Sequence, residues 1–263
     1  MNRLKSLLLL LACSAVAWSC NEFDSSPKAL VNVLLIDAPA QWDSVIVEIQ
    51  GIELEFVPNG REGEIQKIFL PYEPGDKQVD VSQLVGGTAL PVARSEMQLG
   101  QITGITLRLG PGNSLFLDED RYPLELPGGK TDYFQALDID LESGISYDLV
   151  LDFDLEKSIQ VTSPNPLILD FNPTISAYSG IGRGDLTGTT SPTDLRPVIY
   201  AIRNVDSVST HVNTSGNFLF RLDPGNYTIY IDPKDIEYSD TLFNVEIKTG
   251  KTTPLDRITL TKK

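Results

Sequence analysis

The sequence predicts an all-β protein made of two antiparallel β-sandwich or barrel-like domains behind an apolar leader. Three observations predict it. Apolar and polar residues alternate with a period of two in many short segments, clusters of Gly, Pro, Asn and Asp separate those segments, and helical periodicity is missing except around Val81 to Val85. The clearest segment is Tyr147 to Ser158, YDLVLDFDLEKS, where Tyr147, Leu149, Leu151, Phe153 and Leu155 share one parity. Asp148, Asp152, Asp154 and Glu156 share the other, interrupted by Val150. Side chains of a strand point alternately to its two faces, so the segment is expected to bury one face and turn a row of acids to water.

The chain has 263 residues, a length that suits two domains, and a formal charge of −15. Removing Arg3 and Lys5 with the leader leaves 19 basic against 36 acidic residues, a net −17. Nucleic acid is disfavoured as a partner, because its phosphates are held largely by Lys and Arg. Both cysteines, Cys13 and Cys20, fall within the first twenty residues, which leaves the body with no disulfide and no thiolate cluster. The single histidine, His211, sits in the polar stretch VSTHVNTSG with no serine motif around it.

The amino terminus opens with two positive charges and continues through an apolar run from Ser6 to Trp18, the form of an export signal. Ala17-Trp18-Ser19 leads directly into Cys20 and polar Asn21-Glu22, which resembles a lipoprotein signal. That resemblance implies cleavage after residue 19, acylation of Cys20, and attachment to a lipid bilayer. Trp18 departs from the usual small residue, while the alternative at Cys13 would leave the apolar stretch SAVAW on the product. Multiple acyl chains hold far better than one. Acidic Glu22 and Asp24 beside the cysteine are similar to lipoproteins of Bacteroidetes-type bacteria, implying an outer-membrane, surface-exposed location. Residues 20–28 then form a lipidated tether.

Residues 29–178 are read as the first domain. Leu30, Val31, Val33 and Leu35 mark one strand; Val45, Val47, Ile49, Ile52, Leu54 and Phe56 mark the next, with the Pro-containing loop IDAPAQWD between them. Further strands follow over Ile65–Leu70, Ser95–Leu109, Leu115–Leu117, Tyr122–Leu126, Phe134–Leu141 and Tyr147–Leu155, while Asp80–Val85 suits a strand or one helical turn. The segments LLIDAPAQWDSVIVEIQGIEL, VDVSQLVGG, LGQITGITLRLGPGN, LVLDFDLEKSI and ILDFNPTISA, in that order, resemble the bacterial family called domain of unknown function 4382. The resemblance implies a β-rich exported module and no established activity.

Residues 179–263 begin with the Gly-rich SGIGRG and continue as short alternating strands separated by NTSGN and DPGN turns. With NTSGNFLFRLDPGNYTIYI at its centre, this part resembles carboxypeptidase regulatory-like domains of transthyretin or Ig-like fold. That group implies a spacer or binding platform, with no catalytic residue to carry over.

Candidate chemistry is sparse. Asp152 and Asp154 lie two apart on one strand face and, with Asp37 or Asp148, offer hard oxygens for Ca²⁺, although no calcium loop of the DxDxDG type is present. An acidic parity is more simply the solvated face of a half-buried sheet. Pairs of carboxylates for glycoside hydrolysis are unavoidable among 36 acids, and only their separation would tell. Arg183-Gly184-Asp185 is a tripeptide that adhesion receptors read on exposed loops, here expected to enter a strand. Ser44, Ser207 and Thr241 sit in Asp-Ser/Thr-apolar tripeptides similar to a Bacteroidetes O-glycosylation motif. Trp42, Tyr72, Tyr122, Tyr133 and Tyr178 could stack on sugars only if they shared a face.

The expected function is a non-catalytic binding or structural role at the cell envelope, with a protein or glycan ligand and no organic cofactor. Two alternatives stay open: a glycan-active hydrolase or its accessory subunit, and a subunit of an envelope assembly joined by strand pairing.

Overall fold

The structure is a computed structural model, and it describes residues 26–38, 42–61, 63–85, 87–118 and 120–263. The leader and Cys20 lie outside the described residues. Strands make up most of the described residues: β1 (Lys28–Ala38), β2 (Ser44–Pro58), β3 (Gln66–Pro71), β4 (Gln78–Asp80), β5 (Leu90–Gln98), β6 (Gly100–Leu109), β7 (Ser114–Leu117), β8 (Asp120–Pro123), β9 (Asp132–Leu141) and β10 (Ser146–Asp154). A four-residue helix, α1 (Leu155–Ser158), a hairpin of β11 (Ile159–Pro164) and β12 (Leu167–Phe171), and β13 (Ile175–Ser179) complete the first module.

Two sheets make this module. One runs β13-β10-β1-β5; the other runs β8-β7-β2-β6-β9, with β3 and β4 also paired to β2. Val31, Val33 and Leu35 of β1 and Leu149, Leu151 and Phe153 of β10 meet Val47, Ile52, Leu54, Ile105 and Leu107 of the second sheet in one apolar core. The parity predicted for Tyr147 to Phe153 is therefore the core parity. In β2 the buried set switches from odd to even numbers, Val45, Val47, Ile49 and then Ile52, Leu54, Phe56, because the ladder to β6 slips between Ile49 and Gly51. Gln50 is the extra residue there; Gly51 after it has φ +153°, and a Cβ on it would stand 2.5 Å from the Leu70 carbonyl oxygen, so position 51 must be glycine.

The all-β class is as expected, but the pairing is not purely antiparallel. β1 and β10 run parallel, in register from Leu30 opposite Ser146 to Ala38 opposite Asp154. Ser95–Leu109, expected as one strand, is the end of β5 and the whole of β6 joined by a tight turn at Leu99. β10 stops one residue early: the Asp154 carboxylate accepts the Lys157 backbone N–H and starts α1, which still buries Leu155.

The second module comprises β14 (Gly184–Ser191), β15 (Val198–Arg203), β16 (Asp206–His211), β17 (Asn217–Leu222), β18 (Gly225–Asp232), β19 (Thr241–Ile247), β20 (Thr252–Pro254) and β21 (Ile258–Thr259). One sheet runs β17-β14-β20, with β21 also on β14, and the other β16-β15-β18-β19. β14 runs parallel to both β20 and β21. Leu186, Ile199, Phe218, Phe220, Ile229 and Ile231 form its separate core. Among the described residues no ladder joins the two modules: the last strand of the first ends at Ser179 and the next strand starts at Gly184.

Candidate binding cleft between the modules

The outer face of β10 is where the structure departs most from expectation. The even-numbered acids do not line an open, solvated face, because the second module packs over that side. Val150, on the same parity, is only 2% exposed. Glu156 reaches across to Lys234 Nζ at 3.2 Å and accepts from the Tyr200 hydroxyl at 3.5 Å. Each remaining acid has a separate fate. Asp148 accepts a 2.8 Å bond from the Asn32 amide, and Asp154 pairs with Lys157 at 2.7 Å besides capping α1.

Asp152 has no such partner. Its Oδ1 is sealed from solvent and accepts no hydrogen bond, and the residue lines a cavity of about 300 Å³ between the modules. Burial pushes its carboxyl up to about 7; the Asp154 charge adds to this and Lys157 works against it. Of the candidate calcium ligands, Asp152 and Asp154 do share a face, but Asp154 is committed to Lys157, and the Asp37 side chain lies outside the description. Among the described residues no three acids, histidines or cysteines gather as a metal-binding group.

The cavity is closed by the edge strands β16 and β17 of the second module and by the outer face of β10 and β13, with Leu84 and Gly87 from the loop before β5. Arg183, on the short connection between modules, lies over the Tyr178 ring at 3.9 Å. Its guanidinium also pairs with Asp223 at 3.2 Å and donates to the Arg221 carbonyl at 3.3 Å. Arg221 in turn pairs with Asp185 at 3.0 Å. Both charged ends of the Arg183-Gly184-Asp185 tripeptide are thus occupied, and Asp185 is inside the β14–β17 ladder. Burial raises the Tyr178 hydroxyl well above its ordinary range, and the neighbouring Asp152 charge pushes the same way. Arg203 has a different environment: it donates to the Pro224 carbonyl at 3.2 Å and lies over the Tyr227 ring.

The aromatic residues do not assemble. Trp42, Tyr72, Tyr122 and Tyr133 belong to the first core, and Tyr178 alone of the five faces the cleft. His211 is buried at the end of β16 with Nε2 unpartnered; burial holds it down at about 4, with the Lys234 charge acting the same way. Of the glycosylation candidates, Ser44 donates to Asp80 at 2.9 Å, Thr241 is half-buried at the start of β19, and Ser207 is exposed on β16 at the cleft rim.

A family model described as Domain of unknown function (DUF4382) matches residues 28–170. The chain belongs to this family. The match takes in Asp152 and ends within β12, so Tyr178, Arg183 and the whole second module, most of the cleft's walls, lie beyond it. A search of curated proteins finds no match. Among solved structures, the chain is similar to the TIE protein of Bacillus anthracis, at 11% identity and a TM-score of 0.27, over 100% of this chain and 45% of that one. It therefore spans less than half of that protein. A leucine-rich repeat protein from Bacteroides thetaiotaomicron is similar at 10% identity and TM-score 0.20, over 89% of this chain and 26% of that one. The minor pilin of Streptococcus agalactiae is similar at 11% identity and TM-score 0.24, over 88% and 96% of the two chains.

The signal for the family was readable in β2, β6 and β10, whereas the cleft was not. Nothing in sequence spacing says that Asp152 and Arg221 approach one cavity across a module boundary.

Proposed function

We propose that the protein is an exported lipoprotein, anchored in a lipid bilayer through acylated Cys20, whose two docked modules form one non-catalytic binding unit at the cell envelope. The leader ending at Cys20 supports the anchoring. One structural observation carries the rest of the reading: the acids at the junction act as module-joining and strand-ending groups. Asp154, Glu156, Asp185 and Asp223 are each held by a basic side chain at 2.7–3.2 Å. A hydrolase of the two-carboxylate type needs a pair free to meet substrate from both sides, and these acids are already spent on the fold. The second module is, on this reading, a carboxypeptidase regulatory-like platform, and the location an outer-membrane surface of Bacteroidetes type. Calcium at Asp152 and Asp154, and glycosylation at Ser207, are subsidiary to it.

Fractionation of cells expressing the parent and Cys20→Ala tests the anchor. The parent is expected with membranes and the variant in the soluble fraction; a variant that stays membrane-bound overturns the anchoring. Turnover of any member of a broad glycan panel by the purified parent would overturn the non-catalytic role. A second reading, an assembly subunit joined by strand addition, is favoured by β19, which ends its sheet and carries Leu242 at 66% exposure.

A further inference from the structure

The cavity between the modules opens into the side of the second sandwich. β16 and β17 are edge strands of its two sheets, and the slot between them is roofed by the first module. The inward parity of β15 runs Ile199, Ala201, Arg203; the first two are buried in the second core, so the third enters the same sandwich at its end. Val208 of β16, opposite Ala201, and Phe220 of β17 continue the lining, and Leu219 reaches it from the junction side. An inward arginine costs desolvation that an apolar residue in its place would not.

The three arginines around the cavity differ in what holds their charge. Arg183 pairs with Asp223, and Arg221 with Asp185. Arg203 pairs with no carboxylate among the described residues: Asp206, opposite it in the β15–β16 ladder, is exposed at the rim and forms no ion pair with it. The Arg203 guanidinium gives an N–H to the Pro224 carbonyl at 3.2 Å and lies over the Tyr227 ring, which leaves donors over. None of its nitrogens is sealed without a partner, so the spare donors reach open space. Asp152 Oδ1, by contrast, is closed off and offers a ligand nothing. The uncompensated charge inside the cavity is therefore positive.

We propose that this cavity binds a small organic monocarboxylate, with its carboxylate on Arg203 and its apolar body against Val208, Leu219 and Phe220. The inference rests on the binding role proposed above and names its ligand class. A guanidinium presents parallel N–H groups that match the two oxygens of a carboxylate, and bonds between ionised partners are about twice as strong as neutral ones. At about 300 Å³ the cavity lies at the lower end of the range for ligand pockets, roughly 300–1,000 Å³, so the body is small. A cationic ligand is disfavoured by the arginines. A ligand with several negative charges is disfavoured too, by Asp206 and Asp223 in the cavity wall and by the chain's net −15.

The test is titration calorimetry on the full chain in a nonionic detergent, with micelles alone as the blank. The panel holds alkyl and aryl carboxylates, butyrate and phenylacetate among them, each against its neutral amide and the corresponding amine. Saturable binding of at least one carboxylate, about ten-fold or more tighter than its amide, is expected. Arg203→Gln is expected to weaken that carboxylate by about the same factor, and Leu219→Trp, which fills the cavity while leaving Arg203 in place, to abolish it. Arg61→Gln, an exposed base after β2 and outside the lining, should change nothing. Urea midpoints of the variants separate loss of ligand from loss of fold. No saturable heat from any carboxylate overturns the proposal, as does an amide or amine that binds as tightly. Binding that survives both Arg203→Gln and Leu219→Trp overturns it as well, and so does equal weakening by Arg61→Gln. Because none of these readings depends on Cys20 or on turnover, a negative result here leaves the anchoring and non-catalytic role standing.

Discussion

Replacing Asp152 with Asn should change the pH dependence of stability in a direction fixed by the structure. In the folded chain the Asp152 carboxyl is raised from its ordinary 3.8 to about 7, chiefly by burial. The folded state therefore binds this proton more tightly than the unfolded state does. The resulting stability is fully present below about pH 4 and is lost as pH rises toward 7. Three decades of proton affinity at about 1.36 kcal/mol each give roughly 4 kcal/mol, a ceiling because, although Oδ1 is sealed, the residue as a whole keeps some solvent contact that screens it. His211 works in the opposite sense. Its depression from 6.5 to about 4 gives stability that is present above pH 6.5 and lost as pH falls toward 4, roughly 3 kcal/mol by the same conversion. The two slopes oppose each other across the acid window, so the parent should look flatter there than either group alone would make it.

Asp152→Asn removes one side of that balance. Urea unfolding followed by far-UV circular dichroism, at about pH 4.5, 6.5 and 8, should show the variant gaining on the parent as pH rises, with the gain complete just above pH 7. Taking the difference between variant and parent cancels the other carboxylates, which titrate in both. Parallel profiles for the two proteins from pH 4.5 to 8 would refute the placement of an unpaired, desolvated acid at the module junction.

Three further outcomes follow from the geometry. Leu151→Ala, which removes a fully buried side chain from the centre of the first core, should cost about 2–5 kcal/mol in the same urea assay. Gly51→Ala should cost on the order of 1–3 kcal/mol, because the residue holds a φ of +153° and its new methyl meets the Leu70 carbonyl; a neutral result would mean that the bulge in β2 is misplaced. A double-mutant cycle on Glu156→Ala and Lys234→Ala should give a coupling of about 0.2–1 kcal/mol, since both partners are part-exposed. The same single variants should speed trypsin cleavage after Arg183, in the connection that the docked modules hold in place, and unchanged cleavage would count against that docking.

Much of the first core was legible from residue parity. Leu149, Leu151 and Phe153 are buried because a strand presents alternate side chains to opposite faces, a rule that needs no knowledge of partners. The switch in β2 from Ile49 to Ile52 is likewise visible as a change of parity across Gly51. What could not be read was pairing across distance. β1 and β10 are more than a hundred residues apart, and parallel pairing leaves no turn between the partners to mark it. The family motifs were legible because each is one contiguous stretch of chain, such as LVLDFDLEKSI over the end of β10 and α1. The cleft was not, since β10 gives it one side chain, β13 three, β17 four and β16 five.

The acid row of β10 shows why the sequence suggested a solvated face and the molecule has a junction. Polarity on the outer parity is compatible with water, but also with a second polar surface, and local pattern cannot distinguish the two. The distinction comes from the short connection. Between Ser179 and Gly184 the chain has only four residues, and Arg183 among them is fastened to Tyr178 behind it and Asp223 ahead. That fastening brings β16 and β17 over the outer face of β10. Asp148 at one end is satisfied within its own sheet by Asn32, and Glu156 beyond the other end by Lys234 across the junction. Asp152 lies between these two regions, too deep for water at Oδ1 and facing a gap in the opposing module. Its isolation therefore follows from how the modules are joined, with Oδ1 sealed between two satisfied regions of the junction.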